Sequence, residues 1–409
     1  MKKLVIIGGG AAGMTAAIAA AKENPAAQIR ILEHKDLPGK KILSTGNGRC
    51  NFTNQVMDVN CFFSDAPNGI AEILGRFGTK ETLEFFLDLG ILPKERNGYY
   101  YPRSDQASSI VSVLRLRLQQ TGVEVETKVH VSGLKKTKKG FLIFTDGKTY
   151  EADAVILACG GKAAPVLGSD GSGYELAKAM GHHIAPVVPA LVQLKAEHFP
   201  LKAAAGVRTE AEVSFYEDGK YISKDCGEVQ ITAYGISGIP VFQISRCAAK
   251  ALYYHKKAIV HLDLFPQMAE KELGELLRRR MDGRQMLTMA KFLIGIFNQK
   301  LIPCLLRYAG IREQTKVSEL SEASFSRLLH ACKKMELVIA DTNGFENAQV
   351  CAGGVRLDEI NTATMESRCC KNLYLAGELL DVDGICGGYN LQWAWASGYV
   401  AGKSAGRLE

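Results

Sequence analysis

The chain has 409 residues, enough for two or three domains, and its 47% hydrophobic and 23% charged content excludes a disordered, collagen-like or coiled-coil protein. Lysine and arginine number 50 against 43 aspartates and glutamates, and the net charge of +7 favours anionic small ligands over nucleic acid. The 11 cysteines are scattered, with neither Cys-x-x-Cys pairs nor zinc-type spacing. We therefore expect free thiols in a cytoplasmic protein, and no metal site.

The first predicted elements form a nucleotide-binding unit. Residues 4–7 are predicted to form a buried strand, residues 8–13 match G-x-G-x-x-G, residues 14–23 favour a helix, and residues 28–32 form a second strand ending at Glu33. Such a turn lets backbone N–H groups approach a pyrophosphate, and an acid twenty residues beyond the last glycine accepts hydrogen bonds from a ribose diol. The pattern predicts a dinucleotide site, and Glu33 favours FAD or NAD over NADP.

The same stretch also has the outline of a signal peptide, because apolar residues up to position 21 follow two lysines. The glycine run interrupts those residues, and the nucleotide-binding pattern accounts for them more specifically. No uninterrupted apolar run reaches about 18 residues, so we expect no membrane span.

A polar, glycine-rich segment at residues 38–54 is predicted to be a loop beside the nucleotide. It contains Lys40, Lys41 and Arg49 and no acidic residue. These cations can neutralise a pyrophosphate, or the N1–C2=O edge of a reduced flavin, where negative charge develops. The segment therefore favours a flavin over the plainer interpretation of a solvated basic loop.

The elements that follow are predicted to pack on the same domain. Helices are expected at residues 78–90 and 105–120, and a small antiparallel sheet at residues 123–131, 141–145 and 149–150. A buried strand that ends in Cys159, Gly160 and Gly161 returns the chain to the nucleotide, and a helix is expected at residues 174–180. No second G-x-G-x-x-G follows a strand, so NAD(P)H is expected to bind only transiently.

Residues 191–344 are predicted to form an inserted substrate domain, because the pattern changes after Pro186 and Pro189. Its short strands suggest a β-barrel-like fold, with strands at residues 191–194, 211–216, 221–222, 228–232 and 258–262. A helical segment of about 267–335 is expected, with helices at residues 268–281, 288–306 and 324–333. Residues 1–190 and 345–409 would then form a discontinuous cofactor domain.

The last elements are predicted to clamp the nucleotide a second time. Residues 372–376 are predicted to form a buried strand that ends in Gly377 and Glu378, followed by an acidic loop with Asp381 and Asp383. A helix continues to about residue 405, with Asn390 as its N-cap. Nicotinamide dehydrogenases need no such second helix N-terminus, whereas FAD domains do. We predict an α/β fold: a Rossmann-like two-dinucleotide-binding FAD domain with an inserted β-barrel-like and helical domain.

Two motifs carry a resemblance to a known family. The Gly-Asn-Gly-Arg-Cys-Asn motif in residues 39–54 and the Gly-Gly-Tyr-Asn-Leu-Gln-Trp-Ala motif in residues 373–402 resemble the BaiN/RdsA-like family of bacterial FAD flavoproteins. Further marks lie at residues 168–174 and 352–355, and Cys386 stands where Thr or Ser is also familiar. The resemblance implies non-covalent FAD and an inserted substrate domain. Its members are described as NAD(P)/FAD-dependent oxidoreductases, 3-dehydro-bile acid delta(4,6)-reductases or aminoacetone oxidase-like proteins, which leaves the substrate open.

Four residues are candidates for catalysis beside the flavin: Arg49, Asn51, Asp383 and Tyr389. Arg49 holds either the flavin or an anionic substrate, Asp383 is expected on ribityl hydroxyls, and Tyr389 either donates a proton or covers the ring. Cys50 is expected to pack rather than to act as a redox thiol. The residues expected to bind the cofactor are Gly8, Gly10, Ala11, Ala12, Gly13, Glu33, His34, Lys35, Lys40, Lys41, Ser44, Gly46, Arg49, Cys50, Asn51, Asn54, Val129, Cys159, Gly160, Gly161, Gly377, Glu378, Asp383, Gly388, Tyr389, Asn390 and Leu391.

These features predict an FAD-dependent oxidoreductase that acts on a small molecule. The preferred reaction is reduction of an activated C=C bond in a hydrophobic, steroid-like or bile-acid-like carbonyl compound, with NAD(P)H as transient donor. The alternatives are an amine oxidase of the aminoacetone type that uses O₂, and a flavin-bearing RNA-modifying or redox-sensing protein. We expect a small-molecule substrate, no nucleic-acid partner and no membrane span, and the sequence does not indicate an oligomeric state.

Overall fold

The computed structural model describes residues 2–407, which fold into two compact units. The first unit contains the residues up to Val188 and those from Gln349 onward, and the second contains Pro189–Ala348. Each unit has its own core of buried aliphatic and aromatic side chains. The chain leaves the first unit through a strand, β12 (Val188–Ala190), and returns to it through β19 (Val350–Ala352).

A seven-stranded sheet forms the centre of the first unit. Its strand order is β20-β21-β22-β11-β1-β2-β7, and the five strands from β22 to β7 are parallel. Parallel strands buried on both faces are nearly continuous apolar runs, as in the Val-Ile-Ile of β1. The strands are β1 (Lys3–Ile7), β2 (Gln28–Glu33), β7 (Glu124–Thr127), β11 (Ala154–Leu157), β20 (Ile360–Asn361), β21 (Glu366–Ser367) and β22 (Leu373–Leu375).

Smaller sheets of the first unit surround this centre. The remaining strands are β3 (Thr53–Asn54), β4 (Phe62–Phe63), β5 (Pro93–Arg96), β6 (Tyr99–Pro102), β8 (Val131–Thr137), β9 (Gly140–Thr145), β10 (Thr149–Ala152) and β23 (Asp383–Gly384). The small antiparallel sheet that the sequence predicts has the strand order β10-β9-β8. The prediction that residues 123–131 belong to it was wrong, because β7 extends the parallel sheet beside β2 and the antiparallel strand starts only at Val131.

The helices of the first unit cover the sheet. They are α1 (Ala11–Glu23), α2 (Ile70–Arg76), α3 (Thr79–Asp88), α4 (Ala107–Gln120), α5 (Ser172–Ala179) and α11 (Tyr389–Gly406). Helices α1 and α11 pack backbone to backbone, since a β-carbon on Gly402 would lie 2.0 Å from the carbonyl oxygen of Ala16. The first and last helices of the described chain are therefore in direct contact.

A closed six-stranded barrel forms the second unit, in the order β13-β16-β15-β14-β17-β18. The fold class expected from the sequence, a Rossmann-like α/β domain with an inserted β-barrel, is confirmed. The barrel strands are β13 (Leu194–Ala196), β14 (Arg208–Glu217), β15 (Lys220–Ile231), β16 (Gly235–Ser237), β17 (Ala258–Asp263) and β18 (Met335–Thr342). Residues 221–222 and 228–232, expected as two strands, belong to the single strand β15. The strand expected at 191–194 begins only at Leu194.

Five helices complete the second unit: α6 (Ile239–Tyr253), α7 (Glu270–Met281), α8 (Met289–Phe292), α9 (Leu301–Tyr308) and α10 (Glu322–Lys333). The prediction of a single helix at residues 288–306 was wrong. The helix ends after α8, and in the loop that follows Gly295 adopts a φ of +81°. Helix α6 was missed. Among the residues that the model describes, no helix combines the length and apolar character needed to cross a membrane.

Candidate flavin site

The glycine-rich turn between β1 and α1 packs tightly everywhere except at Gly10. A β-carbon on Gly8 would lie 2.4 Å from the carbonyl oxygen of Ala158, and one on Gly13 would lie 1.9 Å from that of Gly8. A β-carbon on Gly10 would have no described atom within 4 Å. Helix α1 starts at Ala11, and no side chain caps it. The turn thus leaves open space beside a helix N-terminus whose partial positive charge attracts anions.

Glu33 lies across this turn at the end of β2. Its carboxylate is buried and accepts hydrogen bonds from the backbone N–H groups of Gly9, at 2.8 Å, and Lys35, at 2.7 Å. The backbone N–H of Val129 donates to the carbonyl oxygen of Glu33 at 3.0 Å. The buried Nε2 of His34 has no hydrogen-bond partner within residues 2–407. The predicted ribose-binding acid and its sequence neighbours are therefore assembled at one edge of the sheet.

The loop at residues 38–54 is less irregular than expected, because residues 42–48 form 3₁₀ turns and the loop ends in β3. The side chain of Lys41 extends from the loop and forms an ion pair with Glu378, with 2.7 Å between Nζ and Oε2. Lys40 instead pairs with Asp36 at 2.8 Å, near the surface. The two neighbouring lysines therefore differ in their ion-pair partners. Of the two, only Lys41 connects the N-terminal part of the predicted site with its C-terminal part.

The second half of the same loop carries Arg49, Cys50 and Asn51. The exposed guanidinium of Arg49 lies 5.9 Å from the ring centre of Tyr101, and its Nε donates to the carbonyl oxygen of Gly46 at 3.3 Å. Cys50 is fully buried, and burial raises the pKa of its thiol to about 12. A thiol held protonated in this way is a poor nucleophile, which agrees with a packing role.

Asn51 and Asn54 face the start of α11. A β-carbon on Gly388 would lie 2.8 Å from Oδ1 of Asn51, which is buried and has no hydrogen-bond partner in the described chain. Asn54 donates from Nδ2 to the carbonyl oxygen of Gly387 at 2.9 Å. Ser44 is exposed, and its hydroxyl donates to the carbonyl oxygen of Lys41 at 2.8 Å.

The ends of β11 and β22 bring a further group of predicted residues to this edge. Cys159 contacts the carbonyl oxygen of Ile7 through its thiol, whose pKa burial raises to about 12. A β-carbon on Gly161 would lie 3.0 Å from Oε1 of Glu378. Gly377 is held by α11, since its N–H donates to the hydroxyl of Ser397 at 2.9 Å.

The acidic loop is held by the side chain of Asn390, a residue that was predicted to cap α11. Asn390 was expected to cap α11, but the N-cap is Gly388, in the left-handed conformation at a φ of +93°. The side chain of Asn390 instead accepts from the N–H of Gly384 at 2.9 Å and donates to its carbonyl oxygen at 2.7 Å. The N-terminus of α11 therefore has no side-chain cap, and Asp383 is held, buried, directly before Gly384.

Tyr389 begins α11 and is almost fully buried. Its ring packs edge-on against Phe62 at 5.7 Å between centroids, and Leu391, two residues on, packs against the core. Burial, and then a hydrogen bond with Cys61, raise the pKa of Tyr389 above its ordinary value. The phenol keeps its proton at neutral pH, as an ordinary tyrosine does, and the raised pKa makes it a weaker acid than a free phenol.

Two buried residues that the sequence reasoning missed tie the site together. Gln392 accepts hydrogen bonds from the hydroxyls of Thr53, at 2.7 Å, and Thr82, at 2.9 Å. Trp393 donates from Nε1 to the carbonyl oxygen of Gly377 at 3.1 Å. Both lie in the Gly-Gly-Tyr-Asn-Leu-Gln-Trp-Ala motif, which was the signal that could have found them.

A separate polar cluster lies in the same unit. His182, Glu359 and Cys369 bring potential ligand atoms within 4.8 Å of one another, although their sequence spacing suggested none. Both ring nitrogens of His182 are engaged, with Nδ1 3.0 Å from Glu359 and Nε2 2.8 Å from the hydroxyl of Ser367. The cluster is thus a satisfied hydrogen-bond network in its present form.

The residues at the sheet edge fit an FAD molecule. The open space at Gly10 suits a pyrophosphate, buried Glu33 suits a ribose, and the uncapped start of α11 suits the electron-rich edge of a flavin. Unpartnered buried polar atoms of His34 and Asn51 lie at the same edge within the described residues. Buried polar atoms rarely lack a hydrogen-bond partner, so we expect a polar ligand to be the partner of these two atoms.

The sequence is similar to known proteins over nearly its whole length. A family model described as HI0933-like protein Rossmann domain matches residues 2–404. A 3-dehydro-bile acid delta(4,6)-reductase from Clostridium scindens is 54% identical over 405 residues and covers 99% of both chains. Two ribosomal RNA dihydrouridine synthases are each 28% identical over 98% of this chain, covering 96% of the Escherichia coli protein and 98% of the Haemophilus influenzae protein.

Proposed function

The chain belongs to the HI0933-like family of Rossmann-domain proteins, and we propose that it is an FAD-dependent reductase that saturates a C=C bond conjugated to a carbonyl group. Its substrate would be a small, hydrophobic compound of the steroid or bile-acid type, and NAD(P)H would be the reductant. The relative that is 54% identical over nearly its whole length is a reductase, so the general class of oxidoreductase is established. The open space at Gly10 carries the assignment of the cofactor.

Each half of the site would hold a different part of the FAD. The N-terminus of α1 would bind the pyrophosphate and Glu33 the adenosine ribose, while Glu378 and Asp383 supply carboxylates for the ribityl hydroxyls. The N-terminus of α11 would face the flavin, where its partial charge favours the anionic reduced form. Bound FAD would supply hydride transfer from NAD(P)H to the substrate carbon.

The protein itself would supply the proton. Tyr389 carries its phenol hydrogen at neutral pH, as tyrosine ordinarily does, and it lies at the start of the helix that we assign to the flavin. Its phenol would protonate the carbon next to the one that receives hydride. Arg49 and Asn51 would position the substrate or the flavin, since one carries a charge near the surface and the other a buried amide oxygen without a described partner.

The nicotinamide cofactor would bind transiently, because no second G-x-G-x-x-G motif follows a strand in the sequence. All 11 cysteines are free thiols, which supports a reducing, cytoplasmic location.

Anaerobic photometry tests the proposal. We expect NADH or NADPH to bleach the 450-nm band of the FAD-loaded protein (a band near 450 nm is typical of oxidised flavin), and a conjugated steroid enone to restore it. Restoration by O₂ after bleaching with aminoacetone, and no reaction with NAD(P)H, would favour the amine oxidase instead. A preparation that binds no FAD would refute both.

Reduction of uridine in RNA is the second candidate, because two relatives with 28% identity are ribosomal RNA dihydrouridine synthases. It requires the same chemistry on a nucleic acid. Reoxidation of the bleached protein by unmodified ribosomal RNA, but not by a steroid enone, would select it.

A further inference from the structure

We propose that the hydroxyl of Tyr174 donates a hydrogen bond to the ribityl chain of the FAD. This inference rests on the proposed function, because it assigns a further ligand to the same cofactor. Tyr174 ends the glycine-rich motif at residues 168–174 and begins the helix predicted at residues 174–180. It lies in the first turn of α5 and is buried.

The hydroxyl of Tyr174 is a buried donor without a partner. Its oxygen is inaccessible to solvent and makes no hydrogen bond to any part of the chain that the structure describes. Burial raises the pKa of Tyr174 well above its ordinary value, so the hydroxyl keeps its hydrogen. A buried donor of this kind is normally satisfied by a ligand or an ordered water.

Gly161 and Glu378 show what the hydroxyl faces. A β-carbon on Gly161 would lie 3.1 Å from the hydroxyl oxygen of Tyr174 and 3.0 Å from Oε1 of Glu378. Any residue other than glycine would therefore place its side chain between these two polar groups. Tyr174 and Glu378 therefore bring a hydroxyl donor and a carboxylate acceptor together beside Gly161, at the end of β11.

The carboxylate in this space is fixed in position. Oε2 of Glu378 pairs with Lys41 at 2.7 Å, and Oε1 accepts the N–H of Cys351 at 2.9 Å. A charged carboxylate oxygen has lone pairs for a second donor. Glu378 therefore remains an acceptor beside Gly161.

A donor beside a carboxylate suits a polyol and not a phosphate. Each hydroxyl of a ribityl chain can accept from Tyr174 and donate to Glu378 at the same time. A phosphate has no hydrogen to donate at neutral pH and would be repelled by the carboxylate. Of the parts of FAD, the ribose and the ribityl chain both match this pair of groups, and because the ribose is assigned to Glu33, the ribityl chain remains.

Tyr174→Phe tests the inference in the apoprotein. Riboflavin and FAD both contain the ribityl chain, and ADP does not, so fluorescence quenching should give dissociation constants for the two flavins about tenfold higher than in the wild type. The affinity for ADP, measured by calorimetry, should not change. The thermal midpoint of the apoprotein should stay the same or rise, because no protein hydrogen bond is lost.

Tyr150→Phe is the matched control, since Tyr150 is also buried but its hydroxyl donates to Glu126 at 2.8 Å. This variant should lower the thermal midpoint and leave the flavin affinities unchanged. Equal flavin binding by wild type and Tyr174→Phe would overturn the inference, as would a loss of ADP affinity or a lower midpoint of the Tyr174→Phe apoprotein. If the wild type bound neither flavin, the proposed function itself would fail.

Discussion

Gly398 lies directly against the backbone of Ala12, and a β-carbon on Gly398 would be 2.4 Å from the carbonyl oxygen of Ala12. The same contact recurs one turn on, between Gly402 and Ala16. Glycine at these positions lets α11 approach α1 more closely than any other residue would. This approach places the N-terminal turns of both helices in one site.

Gly398→Ala should therefore force the two helices apart. We expect a loss of about 2–4 kcal/mol in the free energy of unfolding, at the upper end of the cost of overpacking a core, with weaker FAD binding. Urea unfolding measures the change. Gly75→Ala is the control, because Gly75 also lies in a helix but a β-carbon there would have no described atom within 4 Å. It should be neutral or slightly stabilising.

Gly10→Ala should separate folding from cofactor binding. The backbone of Gly10 has φ −79° and ψ −166°, which alanine adopts without strain, and its β-carbon would enter open space. We expect an apoprotein with wild-type thermal stability and an FAD affinity lower by about a hundredfold, since the methyl group would occupy the pyrophosphate position. Wild-type FAD affinity in this variant would place the pyrophosphate elsewhere.

Asn390→Ala should release the acidic loop, because both hydrogen bonds to Gly384 are lost. We expect a loss of about 1–3 kcal/mol in unfolding free energy and increased hydrogen exchange around Asp383. Asn390→Asp keeps the acceptor for the N–H of Gly384 and should fall between wild type and alanine. Equal exchange in all three proteins would show that other contacts hold the loop.

Tyr389→Phe should affect only one half of the catalytic cycle. If the phenol protonates substrate carbon, reoxidation by the enone should slow by about 10²–10⁴-fold, whereas reduction by NAD(P)H needs no proton from Tyr389 and should be unchanged. Stopped-flow absorbance measures the two half-reactions separately. A variant that reoxidises at the wild-type rate would assign proton donation to another group.

The buried imidazole of His182 should make stability depend on pH. Burial lowers its pKa below the ordinary value, although Glu359 partly opposes this. Below pH about 6.5 the unfolded chain binds a proton that the folded protein does not, so stability should fall as the pH falls through that value. The pKa of Glu359 is also lowered, so the contribution of this carboxylate is lost only at more acidic pH.

Unfolding free energies between pH 5 and 7.5 measure this slope. His182→Gln should reduce it, even though the variant is less stable overall, and part of the slope should remain because burial also lowers the pKa of His261. His330→Gln, at an exposed position in α10, is the control for replacing a histidine outside the buried cluster. An unchanged slope in His182→Gln would assign the dependence to other groups.

The sequence predicted the parts of this protein that depend on local pattern. The glycine turn, Glu33 and the strands around them follow from residues within one short segment, and the closed barrel follows from regular hairpins. Helix α6 was missed because its first residues, Ile-Pro-Val-Phe, favour a strand. The buried residues Val241, Ile244, Ser245 and Ala248 follow helical spacing and were the available signal.

The hydrogen-bond partners of single side chains within the motifs could not be predicted from local sequence pattern. Asn390 has the residue type of an N-cap, but a tertiary contact with the acidic loop uses its side chain instead. Gln392 bonds Thr82, 310 positions away, and Phe77, 315 positions away. Such partners are set by the packing of distant elements, which no pattern along one segment encodes.

The ion pair between Lys41 and Glu378 joins positions 337 residues apart, and the helices beside it meet across a longer interval. During synthesis the glycine turn and α1 leave the ribosome early. Their contacts with α11 can form only after α11 has left the exit tunnel. A nascent chain can form the barrel in that interval, because all six barrel strands are already synthesised. The nucleotide pocket can therefore be completed only after α11 has been synthesised, and a chain stalled before α11 should emerge colourless.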